Sequence, residues 1–100
     1  MGMRWLVTGG CGFIGTSLIK SLILEGGHAI RVIDNLSVGT RKDLENVSGY
    51  IEIDANKLTS WSSGISPQSC QLVVGDILDQ ELVVKAAKDA DMVAHLAANT

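Results

Sequence analysis

The groups best placed to do chemistry in this chain are a run of backbone amides and one carboxylate. Gly9, Gly10, Gly12 and Gly15 fall within seven residues, and Asp34 stands nineteen residues beyond the last of them. Gly10-Cys11-Gly12-Phe13-Ile14-Gly15 reads as G-x-G-x-x-G, and Gly9, Gly12 and Gly15 read in an overlapping register as G-x-x-G-x-x-G. An apolar run, Trp5-Leu6-Val7, leads into the glycines, and a helix-like pattern leaves them. A strand, a tight turn and a helix start, in that order, can hold a phosphate. The first N–H groups of a helix have no internal partners, and the helix dipole places partial positive charge there. A side chain at the glycine positions would hold a diphosphate off, so glycine serves the approach as well as the turn. The same glycines also suit a turn with no ligand, and Asp34 also suits the start of a turn, Asp34-Asn35-Leu36-Ser37. What surrounds them decides.

Met3 to Thr8 reads as a buried strand, apolar nearly throughout, as parallel strands are. Phe13 to about Glu25 reads as a helix, with Ile14, Leu18 and Leu22 four apart and Ile19 and Ile23 beside them on one apolar face. Gly26-Gly27 ends it. Ala29 to Ile33 is a second strand with Asp34 at its C-terminal end. Arg41 to Asn46 suits a short helix. Tyr50 to Asp54 alternates like a strand, yet residues 47–69 as a whole read as loop or insertion, with Trp61 and Pro67 in a Ser/Gly-rich stretch. Gln71 to Val74 is a third strand. Asp79 suits the N-cap of a helix from Gln80 to about Asp89, with Glu81 in its first turn and Leu82, Val83, Ala86, Ala87 and Ala90 turned inward. Met92 to Ala97 is a fourth strand, within which His95 is expected as a core histidine.

This alternation predicts an α/β fold: a Rossmann-type parallel sheet, partial, of strand order 3-2-1-4, with flanking helices and right-handed crossovers. The switch point falls between strands 1 and 4, so Gly9 to Gly12 and Ala97-Ala98 share the mouth of one crevice. In that setting Asp34 accepts hydrogen bonds from adenosine ribose hydroxyls and repels a 2′-phosphate, which favours NAD over NADP.

One hundred residues suit a single domain, and 46% hydrophobic with 19% charged residues argue for a folded interior. A net charge of -3 without clustered Lys and Arg leaves no nucleic-acid footprint. Backbone dipoles still let an acidic protein hold an anionic cofactor. Cys11 and Cys70 form no C-x-x-C, which argues against a disulfide scaffold or a metal site and for reduced thiols in a cytoplasmic protein. Cys11, at a helix start, is either a thiol of lowered pKa or a spacer in the turn. No targeting segment is expected, and the stretch Phe13–Leu24, broken by Lys20, is too short to span a bilayer, so no membrane partner is expected.

With these residues in place, Thr8-Gly9-Gly10-Cys11-Gly12-Phe13-Ile14-Gly15 resembles the cofactor turn of the extended short-chain dehydrogenase/reductases. Asp34-Asn35-Leu36-Ser37-Val38-Gly39 resembles their second-strand loop, especially in nucleotide-sugar epimerases of the UDP-glucose 4-epimerase type. Gly75-Asp76-Ile77 resembles the motif whose Asp and next residue lie along the adenine, and His95-Leu96-Ala97-Ala98 resembles the one lining the nicotinamide side. The resemblance implies NAD as cofactor, held by Gly9, Gly12, Phe13, Ile14, Gly15, Asp34, Asn35, Leu36, Ser37, Gly39, Asp76, Ile77, Leu96, Ala97 and Ala98. It also implies a nucleotide-sugar substrate, and it allows a homodimer. Residues 1–100 are then the N-terminal part of an NAD-binding domain. The family's Tyr-x-x-x-Lys pair has no match: the one tyrosine is Tyr50, and Asp54 stands where the lysine would be. The resemblance thus assigns no catalytic residue within the chain.

Three readings follow. One is the NAD-binding part of a nucleotide-sugar epimerase acting through a 4-keto sugar, with a 4,6-dehydratase or decarboxylase as its variants. Another is a dinucleotide-binding fragment without catalysis. The third is an NADP-dependent reductase, for which Arg41 is the candidate 2′-phosphate partner and against which Asp34 argues.

Overall fold

The computed structural model describes residues 2–58 and 70–97. Trp61, Pro67 and Ala98 lie outside the described residues, as does most of the Ser/Gly-rich stretch. Five parallel strands form one sheet in the order β3-β4-β2-β1-β5: β1 (Arg4–Thr8), β2 (Ala29–Asp34), β3 (Ile51–Glu52), β4 (Cys70–Val74) and β5 (Met92–His95). Helices α1 (Phe13–Glu25), α2 (Arg41–Glu45) and α3 (Gln80–Ala87) make the connections, with a 3-10 turn at Ala55–Lys57. The four strands legible in the sequence keep the order 3-2-1-4, so the Rossmann-type topology holds.

The addition is β3, which extends the sheet beyond β4 from within the stretch read as loop. It falls within Tyr50 to Asp54, where the sequence alternates like a strand, though both of its residues are exposed and the alternation marks no buried face. Ile53 N–H continues the pairing to Leu72 O at 2.8 Å.

Strand β2 lies between β4 and β1, and all six of its residues are buried. This is why it reads as a nearly continuous apolar run. The exception is Arg31, 1% exposed, whose Nε donates to Gln71 Oε1 at 3.0 Å across the β2–β4 register. Its Nη1 donates to Ala86 O at 3.3 Å. Burial lowers the guanidinium to about 10.

Helix α1 buries Gly15, Ile19 and Leu22, a narrower stripe than the sequence suggests. Ile14 and Ile23 are 66% and 42% exposed. Gly15 is the cause. It lies so close to the backbone of Gly9 and Gly10 that the helix must turn this residue inward, and Ile19 and Leu22 follow on the same face. Ile14 is rotated about 100° from Gly15 and so faces away. In α3, by contrast, Leu82 and Ala86 are buried with Val83 and Ala87 half-buried beside them, as the spacing predicts.

His95 is not a core residue. It is exposed, as are Met92 and Val93, because β1 is the only strand paired with β5 among the described residues.

Candidate functional site

A cleft of about 560 Å³ opens at the C-terminal ends of the strands, in the size range of small-molecule sites. Its floor is the glycine turn. Gly9 has φ +73°, a left-handed conformation that favours glycine, and its N–H donates to Ile33 O at 2.8 Å. Gly12 N–H donates back to Gly9 O at 3.1 Å and closes the turn. Gly12 is then the N-cap of α1 with extended backbone.

No side chain caps α1, and its first turn holds no acidic residue. The other two helices are treated differently. Thr40 and Asp43 form a reciprocal capping box on α2, and Asp79 caps α3 by accepting from Leu82 N–H at 3.2 Å. The first-turn amides of α1 therefore meet the cleft that Gly12, Phe13, Ile14 and Gly15 line, with no protein carboxylate in that turn to offset the dipole.

The glycines differ in why they are needed. A Cβ at Gly15 would press into the backbone of Gly9 and lie 2.6 Å from Gly10 Cα. A Cβ at Gly39 would strike the Cys11 carbonyl and lie 2.7 Å from Gly12 N, so the loop after β2 packs directly on the turn. At Gly12 the nearest atom would be Gly9 O at 3.4 Å, an ordinary contact. Packing does not require glycine at position 12. What a side chain there would fill is cleft.

The second wall is Asp34 with Asn35, Ser37, Val38 and Gly39. Asp34 Oδ2 accepts from Cys11 N–H at 2.9 Å and Oδ1 accepts from Leu36 N–H at 2.7 Å. The carboxylate thus ties the second loop to the first. Its two oxygens offer about four acceptor sites, and two amides leave room for a diol. Asn35 Oδ1 accepts from Ser37 N–H at 3.0 Å and shapes the same loop.

Leu36 does not line the cleft. Its φ of 61° turns it toward the core, where it packs against the cluster that includes Val7, Val32 and Leu44. The third wall is Gly75, Asp76, Ile77 and Leu78, held at β2 by Gly75 N–H donating to Asp34 O at 3.1 Å. Asp76 Oδ1 accepts from Leu78 N–H at 2.9 Å. Leu96 and Ala97 complete the rim.

Gly9, Gly12, Phe13, Ile14, Gly15, Asp34, Asn35, Ser37, Gly39, Asp76, Ile77, Leu96 and Ala97 are therefore brought together, while Leu36 is not. Val38 and Gly75, motif members not assigned to the cofactor, and Ile33 and Leu78, chain neighbours of assigned residues, join them.

Thr8 is the residue that sequence reasoning undervalued. Its buried Oγ1 accepts from Leu96 N–H at 3.1 Å and Ala97 N–H at 3.4 Å. Its Oγ1 also shares a hydrogen bond with His95 Nδ1 at 2.8 Å, and its carbonyl oxygen accepts from Leu96 N–H at 3.0 Å. Thr8 thus holds the rim of the fourth strand against the glycine turn.

Cys11 is a spacer rather than an activated thiol. It is 1% exposed, and burial, with the Asp34 carboxylate beside it, pushes it up to about 12. Burial also raises Cys70, to about 11. The folded chain should therefore resist Ellman's reagent at pH 8, and both thiols should react once urea unfolds it. Rapid modification of the folded chain would contradict this placement. The sign for stability follows. Both thiols ionise near 9.0 when ordinary and higher when folded, so their contribution is fully present below pH 9 and is lost toward pH 11 to 12. The unfolding free energy from urea titrations should fall above pH 9 by up to ~1.4 kcal/mol per pH unit per thiol.

The ionisable side chains lining the cleft, among the described residues, are Asp34 and Asp76. No group of three or more His, Cys, Asp or Glu stands ready for a metal, and no helix is long and apolar enough to cross a membrane, again among the described residues. The cleft offers the helix-start amides as donors to an anion and the Asp34 carboxylate as an acceptor from hydroxyls.

Sheet order, crevice and uncapped helix place the chain in the Rossmann class of α/β folds. It belongs to the 3-beta hydroxysteroid dehydrogenase/isomerase family, one of the extended short-chain dehydrogenase/reductases, with residues 6–100 matched. It is 37% identical over 100 residues to a dTDP-glucose 4,6-dehydratase of Mycobacterium tuberculosis, covering 98% of this chain and 24% of that protein. It is 32% identical over 98 residues to a UDP-N-acetyl-alpha-D-glucosaminuronate decarboxylase of Bacillus cytotoxicus, covering 98% and 24%. The UDP-glucose 4-epimerase of Thermus thermophilus, solved as a complex with NAD, superposes with a TM-score of 0.64 at 28% identity, covering 98% of this chain and 25% of that one. The chain thus spans about a quarter of the length of these relatives.

Proposed function

We propose that this chain is the NAD-binding portion of a nucleotide-sugar epimerase that acts through a transient 4-keto sugar. The observation that carries the reading is Gly12: an uncapped helix start faces a cleft at a position where the protein's own packing does not call for glycine. The amides from Gly12 to Gly15 would hold the diphosphate, and Asp34 would hold the adenosine ribose. Asp76 and Ile77 would flank the adenine. Leu96, Ala97 and, beyond the described residues, Ala98 would flank the nicotinamide side. NAD, when bound, supplies hydride acceptance and return. The chain's own part is to bind and orient, since no acid–base pair lines the cleft among the described residues. The Tyr-x-x-x-Lys chemistry expected from the family resemblance is assigned to no residue of these 100.

A dehydratase is the second reading, favoured by the 37% identity to a dTDP-glucose 4,6-dehydratase; a decarboxylase would use the same keto intermediate. When the chain is carried within its full-length enzyme, mass spectrometry separates the branches. An epimerase returns a product of unchanged mass, a dehydratase loses water and a decarboxylase loses carbon dioxide.

The binding claim is tested on the chain itself by calorimetric titration with NAD. We expect weak, saturable binding, with a Kd on the order of a millimolar, because only part of a cofactor's contacts are present. No heat at several millimolar NAD would remove the reading.

A further inference from the structure

Arg41 opens α2 two residues after Gly39, the last residue of the second loop to line the cleft. It is the first cation in the chain after Asp34. A guanidinium presents a planar fork that pairs bidentately with phosphate or carboxylate. Here the fork is already taken. Nε donates to Glu52 Oε1 at 2.7 Å and Nη2 donates to Glu52 Oε2 at 3.1 Å, and Arg41 does not line the cleft.

Glu52 comes from β3, the outermost strand beyond β4. It is in register with Leu72, two residues before the Val74 that pairs with Asp34. The backbone carrying Arg41 is fixed from both sides, by Gly39 against the Cys11–Gly12 peptide and by the Thr40–Asp43 capping box. Only the side chain of Arg41 is left to choose a partner.

We propose that Glu52 is a specificity residue for the cofactor: by holding the Arg41 fork over β3, it withdraws from the rim the cation that a 2′-phosphate would need. Discrimination against NADP is then shared between Asp34, which repels the phosphate, and Glu52, which removes its partner. This deepens the proposed function and rests on it. The pair is partly exposed, 51% and 42%, so its hold is modest and a phosphate can compete for the fork.

The test is titration of the chain with NAD and NADP as wild type, as Glu52→Gln and as the double variant Glu52→Gln/Arg41→Gln. Glu52→Gln should tighten NADP about three- to fivefold, the scale of releasing one exposed ion pair, and leave NAD within about twofold. The double variant should return NADP to the wild-type affinity. Unchanged NADP affinity in Glu52→Gln, with NAD still bound, overturns this proposal alone. So does a gain that survives Arg41→Gln. A wild-type chain that binds neither nucleotide overturns the dinucleotide reading and this proposal together.

Discussion

Gly12→Ala should leave the chain folded and weaken NAD binding at least tenfold, whereas Gly15→Ala, three residues on, should damage the fold itself. At Gly12 the backbone is extended, φ -77° and ψ 175°, which alanine adopts freely, and the new Cβ meets only Gly9 O at 3.4 Å. The loss is that of a weaker N-cap, under about 1 kcal/mol. The methyl would occupy the space where a diphosphate must reach the amides, and losing one such contact costs about 1.4 kcal/mol or more of binding, a factor of ten. At Gly15 the Cβ would lie 2.6 Å from Gly10 Cα and 2.9 Å from Gly10 C, both backbone atoms that no rotamer change can move aside. Overpacking of this kind costs about 3 kcal/mol, against about 1 kcal/mol regained from alanine's helix propensity. A net loss of about 2 kcal/mol is a large share of the stability of a small domain. Urea unfolding and NAD titration on both variants separate the two roles. A Gly12→Ala chain that binds NAD as the wild type does would mean that nothing approaches those amides.

The parts of the fold that were legible in the sequence are those where one residue type has one physical use. The strands β1, β2 and β4 are apolar on both faces and show as short runs. Asp79 before Leu82 announces α3, and the glycine turn announces α1. The residues around the cleft were legible because they follow from chain order: they lie in the loops that leave the C-terminal ends of the strands or in the first turn of α1, and parallel strands deliver their ends to one edge.

What was not legible depended on contacts between distant residues. The inward face of α1 is set by the approach of Gly15 to Gly9 and Gly10, which hydrophobic spacing alone assigned to Ile14. The short β3 is an edge strand without a buried face, so the alternation at Tyr50 to Asp54 hints at it and its pairing with β4 decides it. His95 looks like a core residue by its apolar neighbours, but β1 alone pairs with its strand among the described residues. Leu36 sits inside a motif whose other members face the cleft, and its left-handed backbone turns it away from them. Cys11 left two readings open in the sequence, and its burial beside Asp34 selects the spacer.

Asp34→Ala should both destabilise the chain and erase most of its preference for NAD over NADP, and the two effects can be read separately. The carboxylate is 7% exposed and accepts from Cys11 N–H and Leu36 N–H. Removing it leaves two amides without an acceptor, the first of them buried, at about 1–3 kcal/mol for such a group. Leu36 at φ 61° also loses the bond that helps hold a backbone unfavourable for its side chain. We expect a loss of about 2–4 kcal/mol in urea unfolding. Damage to the loop weakens NAD and NADP alike, so it cancels in the ratio of their affinities. What remains in the ratio is the carboxylate's own discrimination. It would accept hydrogen bonds from ribose hydroxyls, worth about 1.5–3 kcal/mol for a charged acceptor, and it repels a 2′-phosphate. The ratio should therefore fall at least tenfold, and Asp34→Asn, which keeps the shape without the charge, should lower it nearly as far. A ratio unchanged in both variants, with unfolding still shifted, would mean that Asp34 serves only to pin the glycine turn and that the discrimination lies elsewhere on the rim.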